Sequence, residues 1–267
     1  MFAKLLKHEW KSSSGILGIL SLAALGVGVL GSVILRIITG MEMRQNAELA
    51  LEVVLSMTFM LLMLSLVAYV AAVEIILMYR FYKRKFTDEG YLTFTLPVNS
   101  HQIFLSSFLN IAAWMIISVL VVLVSLSIMF LFGIDWSRAS AVMGNPSDFW
   151  EVYTDVYGSE LTAWTIILSL ISTLMSFLSS IVTPMCCLTI GSVVAKKHKI
   201  LMAFVIGYGV SIISGMVSGV LSAVSMLSAE SYSMTSMYLV EIGTQLILMV
   251  GGYFLSTYLM QKKLNLP

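Results

Sequence analysis

Glu74 is a carboxylate set inside a long apolar run, Val53–Met78. An ionisable side chain is costly in hydrocarbon, and where one occurs its usual chemistry is ion or proton exchange. It stands four residues before the inner end of that run, where it can reach water or pair with Arg80. Glu52 and Glu241 fall at the outer ends of their own runs, so no relay of acids crosses the membrane. An ion-coupled carrier or channel working without ATP is therefore the alternative reading and not the leading one.

The hydroxyls form a second pattern. Ser169, Ser172, Ser176, Ser179 and Thr183 recur at alternating steps of three and four, which places them on one face of a helix. Ser211, Gly215, Gly219 and Ala223 recur every fourth residue and include a Gly-x-x-x-Gly. Such faces let helices approach closely, or line a mildly polar route. Both uses stay open, and both can meet at a dimer seam. Met57, Met60 and Met63 add an adaptable apolar surface.

Catalytic patterns are missing from the sequence. His8, His101 and His198 all flank the apolar runs and do not lie within them, so the buried serines have no histidine at their depth. There is no Gly-x-Ser-x-Gly elbow and no His-Glu-x-x-His helix. No Gly-x-x-x-x-Gly-Lys-Ser/Thr loop is present, so these residues do not bind ATP in that manner. Cys186 and Cys187 are adjacent in an apolar run, without zinc spacing, and read as packing residues. The expectation is a non-catalytic chain carrying no metal or cofactor and no nucleic-acid site.

The elements that must position these groups are read from composition. Of 267 residues, 59% are hydrophobic and 11% charged, against about 25% charged in a soluble domain. Six stretches reach the roughly 20 apolar residues that a bilayer crossing needs: Gly15–Thr39, Val53–Met78, Phe108–Phe132, Ala163–Val194, Leu201–Leu227 and Tyr238–Met260. The fourth is overlong and contains Pro184, which predicts a kink or tilt. Lysine and arginine gather at 4–11, 80–85, 196–199 and 262–263, while most acids gather on the opposite flanks. That alternation puts both termini in the cytoplasm of a plasma-membrane protein, with 133–162 as the external loop. The first apolar run outlasts a signal-peptide core and reads as a retained span. Residues 1–14 set Phe2, Leu5, Leu6 and Trp10 among lysines, which suits a short interfacial helix. The fold class is all-α: one polytopic domain over 1–267.

The cytoplasmic loop 79–102 carries the most specific pattern. Phe81, Tyr82, Phe86, Tyr91 and Phe94 are interleaved with Arg80, Lys83, Arg84, Lys85, Asp88 and Glu89. Asn99-Ser-His-Gln102 has the spacing of a helix start with a capping box, and Pro97 holds the preceding residue out of the helical region. A short element over 87–96 is thereby set off from the third span.

Within this loop, Glu89-Gly90-Tyr91-Leu92 and Leu96-Pro97-Val98-Asn99 resemble the motif that follows the second helix in membrane subunits of ABC-2 type ABC transporters. The six-span topology with an amphipathic N-terminal segment resembles that family over the whole chain. Where the family commonly has a small polar residue after Gly-Thr-Leu, this chain reads Gly-Tyr-Leu-Thr-Phe. The resemblance implies a permease subunit of a bacterial ATP-driven exporter, paired with a second permease subunit, identical or related. It also implies a separate ATP-binding cassette ATPase that holds the ATP and magnesium. Docking on that partner is carried onto Asp88, Glu89, Gly90, Tyr91, Leu92 and Phe94, with Lys85, Phe86 and Thr87 beside them. The scarcity of charge in the spans favours an amphipathic or hydrophobic cargo (peptide, lipid or drug). In size, the chain is similar to the family's exporters of amphipathic toxin and antimicrobial peptides.

Overall fold

In a computed structural model the described residues are 2–42, 48–87, 90, 99–133, 163–195, 197–228 and 234–262. They form six helices: α1 (Phe2–Glu42), α2 (Glu48–Phe86), α3 (Ser100–Gly133), α4 (Ala163–Val194), α5 (Lys199–Ser228) and α6 (Met234–Lys262). All six are long and apolar enough to cross a membrane, and each contains one of the six predicted spans. The physical reason is backbone accounting. Hydrocarbon offers no partner to an N–H or C=O group, so a crossing segment must satisfy its own by helix formation.

Three predicted boundaries fare differently. The separate helix expected over residues 1–14 is instead the opening of α1, which runs unbroken into the first span. Nothing between Phe2 and Gly15 breaks a helix, and the Ser14 hydroxyl folds back onto the Lys11 carbonyl at 3.0 Å. A helix does begin after Asn99, whose backbone carbonyl accepts from the amides of Gln102 (2.8 Å) and Ile103 (3.2 Å). Of the expected external loop, 133–162, Gly133 is the last residue of α3 and 134–162 lie outside the described residues.

The chain forms two compact units. One comprises Lys7–Leu77 and Asn110–Val152, the larger parts of α1, α2 and α3. Its core is Leu35, Leu66 and Met129, with Leu62 and Met63 packed against them. Backbones come close at Gly28, where an added Cβ would stand 2.9 Å from Ser125 Cα. The Ser125 hydroxyl uses that proximity to reach the Ala24 carbonyl at 3.3 Å. Trp10 stacks on Trp114 with centroids 5.0 Å apart, and Ser21 meets the Tyr69 hydroxyl at 2.9 Å.

The other unit comprises Met1–Leu6, Met78–Leu109 and Tyr153–Pro267. In it α4 packs against both α5 and α6, which also touch each other. α4 is the central helix: 33% of its most apolar window is buried, against 6% for α5 and for α6. The turn into α5 passes through His198 at φ 59°, a left-handed conformation that histidine adopts more readily than most residues. Just before it, Gly191 lets the two helices meet. A Cβ there would lie 2.8 Å from the Ala203 nitrogen and 2.9 Å from the Lys199 oxygen, both backbone atoms.

Gly191→Ala is therefore expected to lower the stability of the purified chain by about 1–3 kcal/mol, the usual cost of overpacking. Gly209→Ala, where an added Cβ meets nothing within 4 Å, should leave stability unchanged or raised. Thermal unfolding in detergent measures both, and equal melting of the two variants would refute the close approach.

Candidate functional site

A serine in a lipid-facing helix needs an acceptor for its hydroxyl. The cheapest one is the carbonyl three or four residues earlier in its own helix. The chain uses that solution repeatedly: Ser169 donates to Ile166 (2.8 Å), Ser180 to Phe177 (2.8 Å), Ser211 to Gly207 (2.9 Å) and Ser214 to Ser211 (3.1 Å). The donor is then used, but the oxygen lone pairs remain available to a ligand or water.

Several of these hydroxyls converge on one open cavity of about 330 Å³ lined by α4, α5 and α6. α4 supplies Ser176, Ser179 and Thr183; α5 supplies Ser211 and Ser214; α6 supplies the carboxamide of Gln245. Cys187, Val210 and Leu248 make its apolar part. Pro184 also lines it. Because proline has no N–H, the Ser180 carbonyl one turn earlier loses its helical donor, which adds an acceptor on this side. The volume is at the lower end of small-molecule pockets.

One helical turn away, at Ser172 and Glu241, the two neighbouring helices are pinned together. The buried Ser172 hydroxyl donates to Glu241 Oε2 at 2.6 Å. This length is at the short end for a hydroxyl donor, and the bond ties α4 to α6 beside the cavity.

The described residues that line the cavity carry neutral hydroxyl and amide groups beside apolar ones, with no charged side chain and no histidine among them. Among the described residues no group of three or more His, Cys, Asp or Glu side chains could hold a metal ion. Hydroxyls and one carboxamide beside apolar walls suit an uncharged polar or amphipathic guest.

The predicted site residues are therefore partly gathered. Ser176, Ser179, Thr183 and Ser211 meet in the cavity; Ser172 flanks it through Glu241; and Ser169 bonds its own helix outside it. Gly215 and Gly219 are exposed, with nothing within 4 Å of an added Cβ, so they form no close crossing among the described residues. Glu74 is half-buried on α2, in the other compact unit, and does not line the cavity. Gln245 and Glu241 were missed as site residues. Their signal was an acid and an amide four residues apart, on one face of an otherwise apolar span.

The loop 79–102 is described only at its root and at Asn99–Gln102. Lys85 and Phe86 are buried, each 2% exposed. Thr87 donates its hydroxyl to the Lys83 carbonyl, and the Gly90 amide closes a turn on the Thr87 carbonyl at 2.7 Å. Asp88, Glu89, Tyr91, Leu92 and Phe94 lie outside the described residues. A run of ring contacts leads inward from the root. Phe86 packs edge-on to Phe81 (5.6 Å), Phe81 to Phe104 (6.5 Å), and Phe104 to Tyr253 on α6 (5.5 Å). Tyr253 in turn bonds His101 Nδ1 at 2.9 Å.

No family model, no curated protein and no solved structure matches this chain. The site is accordingly read from its own geometry.

A double-mutant cycle on Ser172→Ala and Glu241→Gln should return a coupling of about 1 kcal/mol, typical of an interhelical hydrogen bond in a membrane protein. It is measured by unfolding of the purified variants. Additive losses would mean that the two side chains do not bond.

Proposed function

We propose that this chain is the membrane-spanning permease subunit of an ATP-driven exporter. It forms half of a translocation pathway, with a second permease subunit forming the other half. A separate ATP-binding cassette ATPase, holding ATP and magnesium, supplies the energy. The cargo is amphipathic or hydrophobic, in keeping with a cavity lined by hydroxyls and apolar groups and by no charge. In this reading the protein belongs to a bacterial plasma membrane, with both termini in the cytoplasm.

One observation carries the reading. The root of the 79–102 loop and the hydroxyl-lined cavity belong to the same compact unit, and packed aromatic rings join that root to α6. A force applied to the loop would thus act directly on a helix that walls the cavity. A nucleotide on a partner can shift this chain's equilibrium only through contacts that differ between states. The segment Asp88–Phe94 makes those contacts in this proposal. Lys85 and Phe86, being buried, act as its root and not as the docking face.

The α5 face of Ser211, Gly215 and Gly219 would then be open to the second subunit. Its exposed glycines support that assignment, since the chain uses other glycines, Gly28 and Gly191, for its own close approaches.

Two variants separate coupling from cargo handling. Glu89→Arg should abolish co-purification with the proposed ATP-binding cassette partner, and with it transport. Ser179→Leu, which narrows the cavity and removes a hydroxyl from its wall, should leave co-purification intact and lower transport about tenfold, the loss of about 1.4 kcal/mol of cargo binding. Transport that continues without nucleotide, or is unaffected by Glu89→Arg, would refute the proposal.

A further inference from the structure

A second cavity, of about 730 Å³, opens beside the turn between α4 and α5. It is lined by Tyr82 near the end of α2 and by His198, Lys199, Ile200, Leu201 and Phe204 at the start of α5. All these residues belong to one compact unit. The lining is of two kinds, in order along the chain. The ammonium of Lys199, the imidazole of His198 and the phenol of Tyr82 are hydrogen-bond donors or cations. One turn further on, Leu201 and Phe204 are large, apolar and 63% and 71% exposed.

None of the described lining residues is acidic. The first turn of a long helix also leaves leading N–H groups without intrahelical partners, and these favour an anion. Lys197, next to the turn, is exposed and raises the local positive potential. A soluble anion would use only the polar end of this cavity, and a purely apolar guest only the other. A phospholipid carries a phosphate and acyl chains on one molecule and matches both together. Basic pockets at the ends of transmembrane helices recognise anionic headgroups in this way.

We propose that this cavity binds the headgroup of an anionic phospholipid. Lys199, His198 and Tyr82 face the phosphate, and Leu201 and Phe204 lie along the acyl chains. The lipid would brace the α4–α5 turn at the point where Gly191 holds the two backbones together, and a ligand bound only to the folded state stabilises it. The inference rests on the membrane-spanning fold alone and does not depend on the exporter reading.

The test is native mass spectrometry of the purified full chain, offered phosphatidylglycerol and phosphatidylcholine at equal concentration. Phosphatidylglycerol should be retained preferentially, and Lys199→Glu should cut its retention by about fivefold or more, the loss of one surface cation's worth of lipid attraction. Lys199→Gln carries the same direction of change should the charge reversal fail to fold. Lys7→Glu, an exposed lysine outside the cavity, should retain the lipid as the unaltered chain does. Equal retention by the Lys199 variants would overturn the proposal. So would an equal loss in Lys7→Glu, which would mean diffuse charge attraction. Displacement of the lipid by an equal concentration of glycerol phosphate would show a soluble-anion site instead and would also overturn it.

Discussion

Hydrocarbon leaves a polypeptide no outside partner for its hydrogen-bonding groups, and this constraint governs everything else in the chain. It compels six uninterrupted helices. It also explains how a protein so rich in membrane serine remains stable, because the hydroxyls donate to carbonyls of their own helices. Each such bond removes the cost of the donor and leaves lone pairs behind. Polarity is thus carried into the membrane in small, neutral portions. The cavity among α4, α5 and α6 is the place where those portions are concentrated.

Once every helix is internally satisfied, apolar burial no longer draws one helix to another, since lipid is as apolar as a neighbouring leucine. Association then depends on close approach and on a few interhelical bonds. Gly28 and Gly191 provide the approach; Ser172 with Glu241, and Ser125 with the Ala24 carbonyl, provide the bonds. The same reasoning separates glycines of identical chemistry. Gly191 is fixed against backbone, whereas Gly215 and Gly219 are open. A small-residue stripe therefore indicates where approach is permitted, and only the fold decides where it happens.

That difference marks how far the sequence could be read. The six spans were legible because each is a long apolar run, a signal carried by composition alone. The start of α3 at Asn99 was legible because capping is local chemistry. The serine face of α4 was legible as a face, since helical periodicity is fixed. Its partners were not: nothing in the spacing says that Ser211 and Gln245 meet Ser179, because that pairing is a matter of helix rotation and tilt. The ring series Phe86, Phe81, Phe104 and Tyr253 was hidden for the same reason, its last member lying far along the chain. The continuity of α1 was misread from charge. A change from basic to apolar residues marks where a helix enters the membrane and says nothing about whether it bends there.

The aromatic series also bears on how an impulse could travel. Rings packed edge-on at 5.5–6.5 Å are close-packed and resist compression. Two of them, Phe86 and Phe104, are almost fully buried, so displacing one requires moving its neighbour or opening a void. A flexible loop with a soft root would absorb a push at its tip. Here the root is buried, capped by the Thr87 side chain on Lys83, and closed by the Gly90 turn. Those features make the loop's base part of the helical body, and a displacement at 87–90 has to be met by α3 and α6. The hydroxyl cavity shares α6 as a wall, through Gln245, two turns before Tyr253. Loop and cavity are thus joined by packed side chains and a single helix. Such a link requires no long-range rearrangement to carry movement from one to the other.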